Sequence, residues 1–188
     1  MHDSLALGAL GYDVLATDTP HVCHSVLRHN IAANLPHLPA TAGVIQVREL
    51  DWTIESDRWV WNDPMRVTPV GDAPNACGAS AEDLLGPPFD LIISSDTLYD
   101  ESLVHPFFRT VCALAASSRE INPLKAPVLL LALERRDAQL IERALSSAPV
   151  PLTRVPTKKI RRAMARAGMD WDTSDWEGVE MWQCRRVA

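Results

Sequence analysis

At 188 residues, with 47% hydrophobic and 22% charged side chains, the chain is about one domain long and too apolar to remain disordered. Its 18 basic and 24 acidic residues give a net charge of −6, which argues against a protein that coats polyanions along its whole surface. The charge is uneven: Thr153 to Gly168 holds six basic residues and no acid, so the remainder carries −12 against the overall −6.

The longest aliphatic run, Val128 to Leu133, falls far short of the roughly 18 apolar residues of a membrane span, and no membrane partner is expected. The N-terminus lacks a basic segment followed by a long apolar one, so no secretory leader is read there. The four cysteines, Cys23, Cys77, Cys112 and Cys184, contain no C-x-x-C pair and read as reduced, intracellular thiols rather than a disulfide or zinc framework. These features together predict a cytoplasmic or nuclear protein. Nucleic-acid binding is disfavoured, because the basic stretch lacks interleaved aromatics and sits on an acidic protein.

In chain order, Ser4 to Gly11 reads as a helix closed by Gly11. A strand follows over Asp13 to Thr17. Thr19 then caps a helix with Pro20 at its first position, and Cys23, Val26, Leu27 and Ile31 form its apolar stripe. A second strand covers Val44 to Val47. From Thr53 to Pro88 five prolines, three glycines and few aliphatics predict a long, loosely packed insertion. Phe89 to Ser94 is the next strand. A helix over Glu101 to Ser117 buries Leu103, Phe107, Val111 and Leu114, with Pro106 in its first turns. After the strand Val128 to Leu133, a helix from about Arg135 to Ser147 turns Leu140, Ile141, Ala144 and Leu145 inward. Leu152 to Val155 reads as a short strand, Thr157 to Ala167 as a basic helix and Glu177 to Arg185 as a closing strand of undetermined direction. Alternation of this kind predicts an α/β fold around a largely parallel sheet, here as a single domain over 1–188.

Ligands of such sheets bind beyond the carboxyl ends of the strands. Asp18 stands there after the first strand, where a carboxylate can accept hydrogen bonds from ribose hydroxyls or simply favour a helix N-terminus. Asp96 and Tyr99 stand after the Leu91–Ser95 run, where a carboxylate and a phenol can hold an amine or take its proton, or where the acid simply caps the next helix. His21, His24 and His29 are clustered, but residues five apart on a helix are rotated by about 140°, so they read as surface histidines and no metal site is expected.

Thr17-Asp18, Leu50-Asp51-Trp52, Ser95-Asp96-Thr97-Leu98-Tyr99-Asp100-Glu101 and the tail Asp175-Trp176-Glu177-Gly178-Val179-Glu180 together form a pattern. It resembles the family 16 protein-lysine methyltransferases, which have a Rossmann-like seven-strand (class I) sheet with helices on both faces and use S-adenosyl-L-methionine. The resemblance implies methyl transfer to a lysine of a protein substrate. It also implies that Asp18 binds the cofactor ribose, that Asp51 and Trp52 lie by the adenine, that Ser95 touches the cofactor, and that Asp96 and Tyr99 face the substrate lysine. The family opens with a strand and glycine-rich turn that this chain does not show, since Ser4 to Gly11 matches the helix after that turn. The chain therefore reads as shortened at its N-terminus, and the strands ending at Asp18 and Asp96, which flank the absent one in the family, are left to pair directly, to stand apart or to depend on another chain. The alternative is a non-catalytic interaction module of the same fold. A nucleotide-binding dehydrogenase would share Asp18 but would not be expected to show Asp-x-x-Tyr or the tryptophan-rich last strand.

Overall fold

A computed structural model describes residues 2–69, 84–169 and 176–187. The chain divides into two compact units, Met1–Gly86 and Pro87–Ala188. Cys77, Asp175 and positions 70–83 of the predicted insertion lie outside the described residues.

The first unit opens with α1 (His2–Ala9), which Gly11 closes in the left-handed region at φ 89°. Strands β1 (Val14–Asp18) and β2 (Ile45–Glu49) pair in parallel from Val14↔Ile45 to Asp18↔Glu49. Gly43 sets this register. A side chain there would sit 2.1 Å from the Tyr12 carbonyl oxygen, so only glycine lets the two backbones meet, and Val44 N–H then donates to Asp13 Oδ1 at 2.8 Å.

Between the strands runs a continuous helical stretch, α2, made of Pro20–Val22, a π-turn over Cys23–Leu27 and Arg28–Asn34. Thr19 occupies the cap position as expected, but its side chain makes no capping bond; its N–H donates to Asp18 Oδ1 at 2.7 Å instead. Cys23, Leu27 and Ile31 are buried as predicted, whereas Val26 is exposed. The wider π winding brings residues four apart into line and carries Val26 off the stripe.

The reading of 53–88 as loosely packed throughout is corrected over its described first part. Val67 is fully buried, with Asp63 and Thr68 nearly so, because the segment returns beside β2: Glu49 N–H donates to the Met65 carbonyl and Val67 N–H to the Glu49 carbonyl. The backbone groups of this proline-containing stretch are satisfied by a distant strand rather than by its own neighbours.

The second unit comprises β3 (Leu91–Ser95), α3 (Glu101–Ile121), β4 (Val128–Glu134), α4 (Ala138–Ser146), β5 (Thr153–Arg154), α5 (Thr157–Arg166) and β6 (Val179–Cys184). Its sheet has the order β3-β4-β6-β5; β3 and β4 are parallel, and β6 is antiparallel to both neighbours, which fixes the direction the sequence left open. α3 runs four residues past its predicted end, and the buried Ser118 there accepts the Phe89 N–H at 3.0 Å. α4 starts later than predicted because Asp137 caps it, accepting from the N–H groups of Gln139 and Leu140. Leu129, Leu131 and Leu133 of β4 and Phe107, Phe108 and Val111 of α3 belong to the core. The nearly buried Glu180 of β6 pairs with Arg135 at 3.0 Å and Arg154 at 3.1 Å and accepts Trp182 Nε1–H at 2.9 Å, tying the ends of β4, β5 and β6 together.

The fold is thus mixed α/β, but the single sheet expected from the sequence is replaced among the described residues by one sheet of two strands and one of four. Among the described residues β1 and β3 each end their sheet with one paired neighbour, and their residues are mostly half-buried. No helix among the described residues is long and apolar enough to cross a membrane.

Candidate functional site

In the first unit the predicted cofactor residues gather at the carboxyl ends of β1 and β2. Leu50 N–H donates to the Asp18 carbonyl at 2.9 Å, which sets the Asp51-Trp52 turn beside the end of β1. Asp18 is half-buried; its Oδ1 accepts Thr19 N–H, and no hydrogen bond from the described residues engages its Oδ2. Asp51 Oδ1 accepts both Thr53 N–H at 2.8 Å and Thr53 Oγ1–H at 2.7 Å, while Thr68 Oγ1 accepts the Asp51 N–H at 3.1 Å. Among the described residues these bonds hold each carboxylate by one oxygen and leave the other to accept from a ligand hydroxyl or amine. Trp52 is half-buried, so part of its surface is open to a ligand.

Beside this group lies a polar network that sequence reasoning missed. Arg48 of β2 is fully buried; its Nη1 donates to the carbonyls of Trp61 at 3.0 Å and Asp63 at 3.4 Å, and its guanidinium lies 5.6 Å from the Trp61 ring centroid. Burial lowers its pKa, and the Asp63 charge opposes that shift. Glu49, also buried, receives His24 Nε2 at 2.9 Å. The histidines are surface groups as expected, yet His24 is anchored to a buried carboxylate. No group of three or more histidine, cysteine, aspartate or glutamate residues among the described ones could hold a metal.

Behind Asp18, the fully buried Cys23 donates through Sγ to the Asp18 carbonyl at 3.3 Å. Burial pushes its thiol from 9.0 to about 11. With the folded pKa raised, the folded state holds this proton more tightly, so its contribution is fully present below pH 9 and is lost as pH rises from 9 to 11. We expect Cys23→Ala to lose less stability than the parent protein over that window, measured by urea unfolding at each pH. Parallel stability curves would contradict this.

In the second unit Ser95 ends β3 and Asp96 follows it with φ 53°, a left-handed conformation that L residues other than asparagine, aspartate and glycine seldom adopt. Asp96 N–H donates to the Ala132 carbonyl at 2.9 Å, which continues the β3–β4 ladder while the turned backbone re-aims the carboxylate. Its partner is a residue the sequence did not point to: Arg136 Nη2 lies 3.1 Å from Asp96 Oδ2 and 2.7 Å from Glu134 Oε2. The hydrogen bond to Glu134 and the Asp96 charge both raise the Arg136 pKa, so this guanidinium stays charged. Asp96 and Tyr99 share one turn, but Tyr99 is 68% exposed and makes no hydrogen bond to Asp96 among the described residues. Asp100 caps α3 by accepting Ser102 N–H at 2.8 Å, so the capping role considered for Asp96 belongs to Asp100.

Two carboxylates with one oxygen each to spare, beside a tryptophan, suit a hydroxyl-bearing nucleoside; two carboxylates sharing one guanidinium suit a cationic amine. No protein-family model matches the chain, and no curated protein matches it.

Proposed function

We propose that the protein transfers a methyl group from S-adenosyl-L-methionine to a lysine side chain of a protein substrate, as the family 16 methyltransferases do. The observation that carries this reading is the placement of the candidate residues. Asp18, Asp51 and Trp52 follow the carboxyl ends of the parallel pair β1–β2, and Ser95 and Asp96 those of β3–β4. The strand orders support it further. Among the described residues β1 ends its sheet and β3 ends the other, and these are the two strands that the resemblance implies to be neighbours of the missing one. A seven-strand sheet in one domain, with an N-terminal strand and glycine-rich turn contributed from outside these residues, belongs to the same proposal.

In this reading Asp18 Oδ2 accepts from the ribose hydroxyls, while Asp51 and Trp52 flank the adenine and Ser95 adjoins the cofactor. S-adenosyl-L-methionine supplies an electrophilic methyl group on a sulfonium. A substrate lysine entering as a neutral amine, its proton already lost to solvent, would take that methyl group as the C–S bond breaks, and the sulfur would leave as a neutral thioether. Asp96 draws in the ammonium and aims the amine, and Tyr99 forms a wall of its pocket. Arg136 occupies Asp96 until an amine displaces it, and Glu134 retains the guanidinium when it does. Catalysis on these terms is placement more than proton transfer.

The test is calorimetric titration with S-adenosyl-L-methionine of the protein extended by the N-terminal strand and glycine-rich turn. Asp18→Ala is expected to weaken binding by roughly 1–3 kcal/mol, the value of hydrogen bonds to a charged acceptor. Unchanged affinity in the variant would remove Asp18 from the site. A folded, N-terminally extended protein that binds no cofactor would favour the non-catalytic module.

A further inference from the structure

We propose that α5 is a docking face for an acidic segment of a partner polypeptide. Lys158, Lys159, Arg162 and Arg166 are all exposed, and none has an ion-pair partner among the described residues. At about 100° per residue they fall within an arc of about 100°, nearly opposite the two residues that seat the helix, the half-buried Ile160 and the buried Met164.

The pattern works against the helix that carries it. Lys158, Arg162 and Arg166 stack at i, i+4 and i+8 as like charges, and Lys158 and Lys159 stand in the first turn, where the macrodipole disfavours cations. There is no acid in the helix to relieve either effect, although the remainder of the chain is strongly acidic. Arg154 shows what pairing looks like nearby, since it is held by Glu180 at 3.1 Å. A row of carboxylates laid along α5 removes the repulsion and supplies the missing partners.

The dimensions fit a short peptide. Lys158 to Arg166 spans about 12 Å along the axis, which about four extended residues cover. Nucleic acid fits less well, because the helix presents no aromatic for a base to stack on and the −12 carried elsewhere repels a long polyanion. The inference stands apart from the methyl-transfer reading, since it uses none of the residues assigned to cofactor or amine.

The experiment is fluorescence anisotropy of the full chain with labelled octaglutamate, octaglutamine and a 20-base-pair DNA duplex. Two variants accompany it: K158E/R162E/R166E, and the neutral K158Q/R162Q/R166Q, with folding verified by circular dichroism. Octaglutamate is expected to bind, octaglutamine not, and both variants to lose about tenfold or more of the affinity, with binding that weakens as salt rises. Equal octaglutamate affinity in parent and glutamine variant, no octaglutamate binding at all, or tighter binding of the duplex would overturn the proposal.

Discussion

Asp96→Asn is expected to lower lysine methylation by roughly 10- to 100-fold while leaving S-adenosyl-L-methionine affinity nearly unchanged, because a hydrogen bond to a charged group is worth roughly 1.5–3 kcal/mol. Asparagine is the cleaner substitution. It tolerates the left-handed backbone at φ 53° that Asp96 adopts, whereas alanine adds strain to the loss of charge. Arg136 remains anchored by Glu134 in the variant, so the neighbouring turn keeps its polar partner. A radiolabelled methyl-transfer assay read beside a cofactor titration separates the effects. Loss of cofactor affinity in a folded variant would mean that Asp96 serves a different ligand.

The largest expected effect on stability is at the centre of β4. Leu131 is fully buried, between Ser94 on the parallel side and Trp182 on the antiparallel side. Truncating a leucine in such a place removes its transfer energy and leaves a cavity that surrounding strands cannot collapse, so Leu131→Ala is expected to cost about 2–5 kcal/mol. Leu124→Ala is the comparison: that side chain is 96% exposed, and the change is expected to stay within about 0.5 kcal/mol. Urea unfolding of both variants measures the difference, and similar midpoints would show that the second unit does not depend on β4 as its centre.

The strand runs were legible because aliphatic and β-branched residues collect where both faces of a strand are covered, and in β4 Leu129, Leu131 and Leu133 are buried while Val128, Leu130 and Ala132 are half-buried. Chain position also placed Asp18 and Asp96 at strand ends, since each follows such a run, whereas Asp51, four positions beyond Val47, was singled out by the resemblance. Pairing was not legible. That β1 and β3 end separate sheets depends on which strands hydrogen-bond, and neither Val14–Asp18 nor Leu91–Ser95 differs in composition from an inner strand. Arg136 lies 40 positions from Asp96, and Arg48 is buried by carbonyls at 61 and 63; both partnerships are non-local and carry no periodic signature. Arg48 carried little signal, because it stands next to Glu49 in the mixed strand Ile45-Gln46-Val47-Arg48-Glu49, where a charged residue reads as solvated. The proline-containing stretch after Trp52 misled because its hydrogen bonds go to Glu49 of β2.

The one-sided strands β1 and β3 have a bearing on how the protein behaves as a material. A strand with one unpaired side is a template, and natural sheets blunt such templates with lysine, proline or a bulge. Val14-Leu15-Ala16-Thr17-Asp18 and Leu91-Ile92-Ile93-Ser94-Ser95 carry none of these along the strand. A backbone edge of this kind binds any extended peptide that reaches it, so its occupancy follows mass action. Where no further strand covers these edges, concentration becomes a structural variable: crowding copies together favours ladders from molecule to molecule, and dilution keeps them apart.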